Sequence, residues 1–167
     1  MTPAELLQDL FARIAESADA VLDGLTEDQL AHRPTPEANS IGWLLWHLAR
    51  VQDDHVAAAA GLEQVHVAQG FRERFDLPFE AYDIGYGHSS DDVAKVRFGA
   101  ELLADYLHAV QRQTQDYLAT LTPADLDRVV DEHWDPPVTL GARLVSVVND
   151  DTQHVGQAAY VRGLLGL

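Results

Sequence analysis

The chain has 167 residues, 47% of them apolar, which is enough to bury one core and close to the size of a single domain. Asp and Glu outnumber Lys and Arg by 27 to 11, giving a formal charge of -16 with no basic run, and this argues against a nucleic-acid partner. With no cysteine, disulfides, Cys-ligated zinc and a cysteine nucleophile are excluded, and with neither a signal-like start nor a stretch of about 20 apolar residues the expected setting is cytoplasmic, without membrane insertion.

Thr2-Pro3-Ala4-Glu5 is a capping-box pattern with proline at the first helical position, where its missing N–H is not needed. Leu7, Phe11, Ile14, Ala18, Val21, Leu22 and Leu25 then keep helical period on one stripe, so the first long helix starts there. Thr26 to Gln29 can cap a short turn, and Pro34 and Pro36 break the chain. Asn39 and Ser40 offer the N-cap of a second long helix, which faces Ile41, Leu44, Leu45, Leu48 and Val51 inward and stops near Gly61. Residues 62–98 are irregular, with Pro78, Gly85 and Gly87, and read as a long crossover carrying short helices. A third long helix follows from the spacing of Leu102, Leu103, Tyr106, Leu107, Val110, Tyr117, Leu118 and Leu121. Thr122-Pro123-Ala124-Asp125 starts another short turn, and Val129-Val130 and Val138-Thr139 flank Trp134 to Pro137 like a small hairpin. The fourth long helix is expected from about Gly141 to Gly163, and nothing divides the chain into more than one domain, 1–167.

Asp150 and His154 stand four residues apart in that last helix, so both project from one face, one turn apart, as a chelating pair would. Their partly apolar surroundings, Val147, Val148 and Val155, make an unpaired charge there costly. On the second helix His47 sits within an apolar turn, about 60° around from Leu44. Two imidazoles and one carboxylate suit zinc, nickel or ferrous iron, and three protein ligands leave positions open for water or substrate. From spacing alone, a hydrogen-bonded core histidine and an ordinary intrahelical Asp–His pair explain the same residues equally well. His55 falls two turns after His47 and reads first as an exposed helix-end histidine, with lining of the bundle mouth as the alternative, and His88 lies in a turn able to fold over a site, a stretch that Ser89 and Asp92 also explain as the N-cap of the next helix. Arg50 and Arg162 are candidates to bind substrate carboxylates. Asp53, Asp54, His32, His66 and His108 read as solvated, His133 as surface packing, and Asp151, about 100° around from Asp150, as the poorer ligand.

The segments Asn39 to Ala49, Gly85-Tyr86-Gly87-His88 and Asn149 to Gln157 together resemble the DinB/YfiT-like superfamily, in order and over the whole chain. They are similar in particular to the actinobacterial DinB-like branch related to the amino-terminal domain of mycothiol-dependent maleylpyruvate isomerase. The resemblance implies an up-down-down-up four-helix bundle and a divalent metal, zinc first and nickel or iron otherwise, held by His47, Asp150 and His154. Many relatives carry histidine where this chain has Asp150. Some relatives transfer low-molecular-weight thiols such as bacillithiol or mycothiol, and others are stress-associated. The implied function is therefore a metal-dependent S-transferase joining a small thiol to an electrophile, with a homodimer among the expected assemblies. A metal-dependent hydrolase or isomerase, or a non-catalytic stress-associated metal binder, are the alternatives.

Overall fold

The computed structural model describes residues 1–167, and three of its four long helices begin at a hydroxyl cap. Thr2 caps α1 (Pro3–Leu22), with Glu5 closing the capping box, and Thr26 and Gln29 do the same for α2 (Glu27–Ala31). Ser40 caps α3 (Ile41–Ala60) through the Trp43 N–H, and Gly61, in the left-handed conformation, ends it. The crossover holds three short helices, α4 (Val65–Ala68), α5 (Phe71–Phe75) and α6 (Ser90–Lys95), the last closed by a Ser89–Asp92 capping box. The remaining elements are α7 (Ala100–Leu118), a 3₁₀ turn (Pro123–Asp127), the two-stranded antiparallel ribbon β1 (Val129–Asp131) and β2 (Val138–Thr139), and α8 (Leu140–Leu164). No helix is long and apolar enough to cross a membrane.

Side-chain bonds between the long helices fix their directions. Gln8 meets Gln115 and Asp19 meets His108, so α1 and α7 are antiparallel. Tyr106 reaches Arg50 while Tyr117 reaches the Ala59 carbonyl, so α3 and α7 are parallel. Leu7 and Phe11 share a cluster with Leu140 and Leu144, while Arg162 reaches Val21, so α1 and α8 are parallel. The four helices therefore run up, down, down, up. Two consecutive parallel helices need a connection that returns along the bundle, which is why residues 62–98 are long.

The core falls into a large cluster, from Ile14 of α1 to Val161 of α8, and a smaller one around Phe11, Val56, Leu118 and Leu144. Polar side chains lie between them. Gln52 donates to Thr114 Oγ1 at 2.7 Å, and on α8 the position between Val147 and Val155 is Asp151. Asp151 is 0% exposed and neither carboxylate oxygen has a partner. Burial, and secondarily the charge of Asp150, raise its pKa well above the usual carboxylate range. Its inward direction agrees with the 100° offset that sets it apart from Asp150.

A buried network pins the crossover to the bundle, and it corrects three readings made from sequence. Arg50 is 0% exposed and donates to Asp53, Tyr106, Gln64 and the carbonyls of Ala81 and Asp83, so it is not available to a substrate. Asp53, expected on a solvated face, accepts from the Val65 and His66 N–H groups, each at 2.8 Å, and from Tyr106. His66, also expected in water, is buried against Phe75 and Tyr106 with Nδ1 on the Ala81 carbonyl. An alternating pattern of charge and aliphatic residues hides such a network, because its parts lie far apart in sequence.

Burial, and then the charge of Arg50, lower the His66 pKa to about 4. The unfolded chain takes up this proton near the ordinary value of about 6.5, so between those values the unfolded state binds more protons. Stability from a neutral His66 is complete above about pH 6.5 and is lost as the pH falls toward about 4, by up to about 3 kcal/mol. Urea unfolding at several pH values in this window should show that loss in the wild type and a smaller one in His66→Phe. Equal slopes for the two proteins would remove His66 as the cause.

Candidate metal centre

Three side chains from two antiparallel helices meet at one point. The candidate donor atoms of His47 on α3 and of Asp150 and His154 on α8 all lie within 4.8 Å of one another. The pair on α8 is preformed by its one-turn spacing, with His154 Nε2 3.6 Å from Asp150 Oδ1. The His47 and His154 rings are 4.8 Å apart between centroids, nearly edge to face. The spacing of the sequence supplied the pair, and the pairing of α3 with α8 brings His47 to it.

The outer nitrogens determine what the inner ones can do. His47 Nδ1 faces the Ile84 carbonyl, which can only accept, so that nitrogen carries the proton and Nε2 keeps its lone pair. His154 Nδ1 is 2.9 Å from Gln157 Oε1, with the same consequence. This is the outer support that metal-binding imidazoles generally need. Asp150 adds a buried Oδ2 without a partner. Two nitrogen lone pairs and an orphaned carboxylate oxygen crowd together, and such a set calls for a cation. A borderline divalent ion fits, and tetrahedral coordination at bond lengths of about 2.1 Å would draw the donors to roughly 3.4 Å apart.

The charges agree with the geometry. Burial lowers the His47 pKa, more than the Ile84 bond restores it. Burial is the largest influence on both His154 and Asp150, but the contact between them, together with Gln157 for His154 and the His47 and His55 imidazoles for Asp150, outweighs it, raising His154 and lowering Asp150. Asp150 thus favours its ionised form, and the positive charge it attracts lies where an ion would sit.

A cleft of about 210 Å³ opens beside this cluster, lined by His47, Asp150, Val51, His55, Tyr86 and Ser146 among others. Tyr86 is 90% exposed at the rim. His55, half-buried, also borders a second cleft of about 480 Å³ containing Arg143 and His133. Burial first, and then the charge of Arg143, lower the His55 pKa. His55 lines the mouth of the cleft, which corrects its reading as an exposed helix-end histidine.

Two further substrate candidates are corrected. His88 has a side chain only 8% exposed, with Nδ1 taken by Trp43 and Nε2 by Asp83, so it does not reach into the cleft as a free group. Arg162 donates to the Val21 and Asp23 carbonyls, closing the C-terminal end of α1. Sequence reading missed Trp43, Ile84, Asp83 and Gln157. Trp43 lies four residues before His47 on α3, the one spacing that could have flagged it.

Two imidazoles and a carboxylate gathered between antiparallel helices beside a small cleft make a site that could hold a metal ion in a helical protein. The chain belongs to the DinB superfamily, metal-binding in general, whose family model matches residues 10–158. Its structure is similar to that of a conserved protein from Enterococcus faecalis, at 34% identity and a TM-score of 0.92, covering 100% of this chain and 99% of that one. It also shares its fold with a DinB-like protein from Bacillus cereus ATCC 10987, at 20% identity and a TM-score of 0.64, over 98% of this chain and 93% of that one. No protein of curated function matches.

Proposed function

We propose that the protein is a metal-dependent S-transferase that joins a low-molecular-weight, mycothiol-like thiol to a small electrophile in detoxification or stress response. The observation that carries this reading is the convergence of the His47, Asp150 and His154 donor atoms within 4.8 Å of one another, beside a cleft that His47 and Asp150 line. A divalent ion there, zinc first and nickel or iron otherwise, would supply Lewis acidity that lowers the pKa of a thiol. Three protein donors leave positions open, as a substrate site requires and a closed structural site does not.

The chain's own groups supply the rest. His55, kept neutral near pH 7 by its lowered pKa, takes the thiol proton. Its Nδ1 faces Asp54 at 3.3 Å, which leaves Nε2 as the base. The sulfur electron pair forms the bond to the electrophilic carbon, and the leaving group departs with its own pair. Tyr86 offers an aromatic face at the rim for the apolar part of the electrophile. The cleft of about 210 Å³ is smaller than the roughly 300–1,000 Å³ of whole-ligand pockets, so it holds the reacting ends only. The rest of a larger thiol extends past His55 into the adjoining cleft. With no cysteine in the chain, the thiol comes from solution.

Elemental analysis of protein purified without an affinity tag, then turnover with a thiol panel and a generic electrophile, tests this reading. The expected result is about one equivalent of metal, thiol-dependent turnover, and loss of both in His154→Ala. Turnover that needs metal but no thiol would assign a hydrolase or isomerase instead, and absence of metal would end the enzyme reading altogether.

A further inference from the structure

One imidazole of the centre is held by more than its helix. His47 is stacked face to face on Trp43, with ring centroids 4.7 Å apart and planes 12° from parallel. Trp43 also meets His154 edge-on at 6.3 Å, so a single indole touches both histidines of the centre. The indole N–H donates to His88 Nδ1 at 3.2 Å. An indole nitrogen can only donate, so His88 Nδ1 accepts and Nε2 carries the proton. That proton points at Asp83, 3.0 Å from Oδ2 and 3.2 Å from Oδ1. Asp83 Oδ1 in turn accepts the Gly85 N–H at 2.7 Å, and Gly85 follows the Ile84 whose carbonyl binds His47.

We infer that Asp83, His88 and Trp43 form a positioning relay that sets the plane of the His47 ring. The relay explains why a buried histidine side chain and a carboxylate of one loop and a tryptophan N–H of α3 are matched donor to acceptor without a gap. Asp83 fixes the His88 tautomer, His88 fixes the indole, and the indole face fixes the imidazole plane of His47 from one side while Ile84 fixes its edge. His88 is packed between Trp46, at 5.9 Å and 18° from parallel, and Phe79, at 4.4 Å, so it has no room to turn. None of the three relay residues is a donor to the ion. Their contribution is to have His47 already oriented, in contrast to the Asp150–His154 pair, which α8 orients by itself. The inference rests on the metal-centre reading for its consequence, but the geometry it concerns exists in the metal-free chain.

The test uses the full chain with His88→Ala and His88→Gln. In metal-free protein, the nuclear Overhauser contacts between the Trp43 indole and the His47 ring should be lost in His88→Ala and kept in His88→Gln, whose amide can both accept and donate. Zinc affinity by chelator competition should fall about 10-fold or more in His88→Ala and stay within about threefold in His88→Gln. Should His88→Ala fail to fold, Trp43→Phe keeps an aromatic ring beside His47 but removes the indole N–H with part of the fused ring, and should loosen the contact with His47 and weaken zinc binding in the same direction. Unchanged ring contacts, or wild-type zinc affinity in a folded His88→Ala or Trp43→Phe, would overturn the relay. If the wild type takes no zinc, the metal reading fails on its own, and the ring contacts still decide whether the relay holds His47.

Discussion

Arg50→Ala is expected to cost about 3–5 kcal/mol of folding stability, the typical result of removing one partner from a buried ion pair. Typical domains have only about 5–15 kcal/mol in total. The guanidinium is the hub at which α3, α7, the start of α4 and the segment around residues 81–83 meet. Without it Asp53 keeps its two backbone N–H bonds and Tyr106, but loses the only cation within 3.3 Å in a fully buried setting. Burial already holds the Asp53 pKa above the usual range despite those bonds, so removing the charge raises it further. Arg50→Lys should recover only part, because one ammonium cannot span five acceptors held by a planar fork. Urea denaturation reads the loss directly. A substrate-binding arginine would behave otherwise: KM would rise while the unfolding midpoint stayed at the wild-type value, and that outcome would restore the role that sequence suggested.

The fold was legible because it depends on local signals. Thr2, Thr26, Ser40, Ser89, Thr122 and Thr139 mark helix or turn starts through a short-range hydroxyl-to-N–H geometry, and α1 and α7 carry their buried faces at regular spacing. The metal cluster was half legible for the same reason. Asp150 and His154 are joined by one helical turn, whereas nothing in the spacing of His47 shows which helix it faces. Arg50 lies one turn from His47 and looked equally placed for a site, yet a rotation of 300° along α3 sends it into the core instead. Asp150 and Asp151 separate in the same manner. One side chain meets two imidazoles and is held ionised, and its neighbour, 100° around, is buried without a partner and favours its proton. The crossover was least legible, since Asp83, Ile84 and His88 act on residues about 40 positions earlier and no short-range pattern encodes that.

Gly85→Ala should leave the bundle folded and weaken metal binding about 10- to 100-fold, the usual effect of disturbing the outer support of a ligand. Gly85 has φ of +87°, a conformation that L side chains rarely adopt, so alanine is strained there by about 1–2 kcal/mol before any contact is counted. A Cβ at this position would also stand 3.0 Å from His47 Nδ1, 3.0 Å from the Trp46 ring and 3.3 Å from the Trp43 ring. Tryptophan rings packed in the core cannot retreat, so either the backbone at Ile84 lifts or His47 turns. Each response breaks the bond between His47 Nδ1 and the Ile84 carbonyl, and with it the tautomer that aims Nε2 at Asp150 and His154. Gly87 has φ of +78° but nothing within 4 Å of a built Cβ, so Gly87→Ala carries the backbone strain without the collision. The pair isolates the contact. Both variants should lose thermal stability, Gly85→Ala the more, and only Gly85→Ala should lose metal affinity by chelator competition; equal affinities in the two variants would show that the approach of this loop to His47 does not matter for the centre.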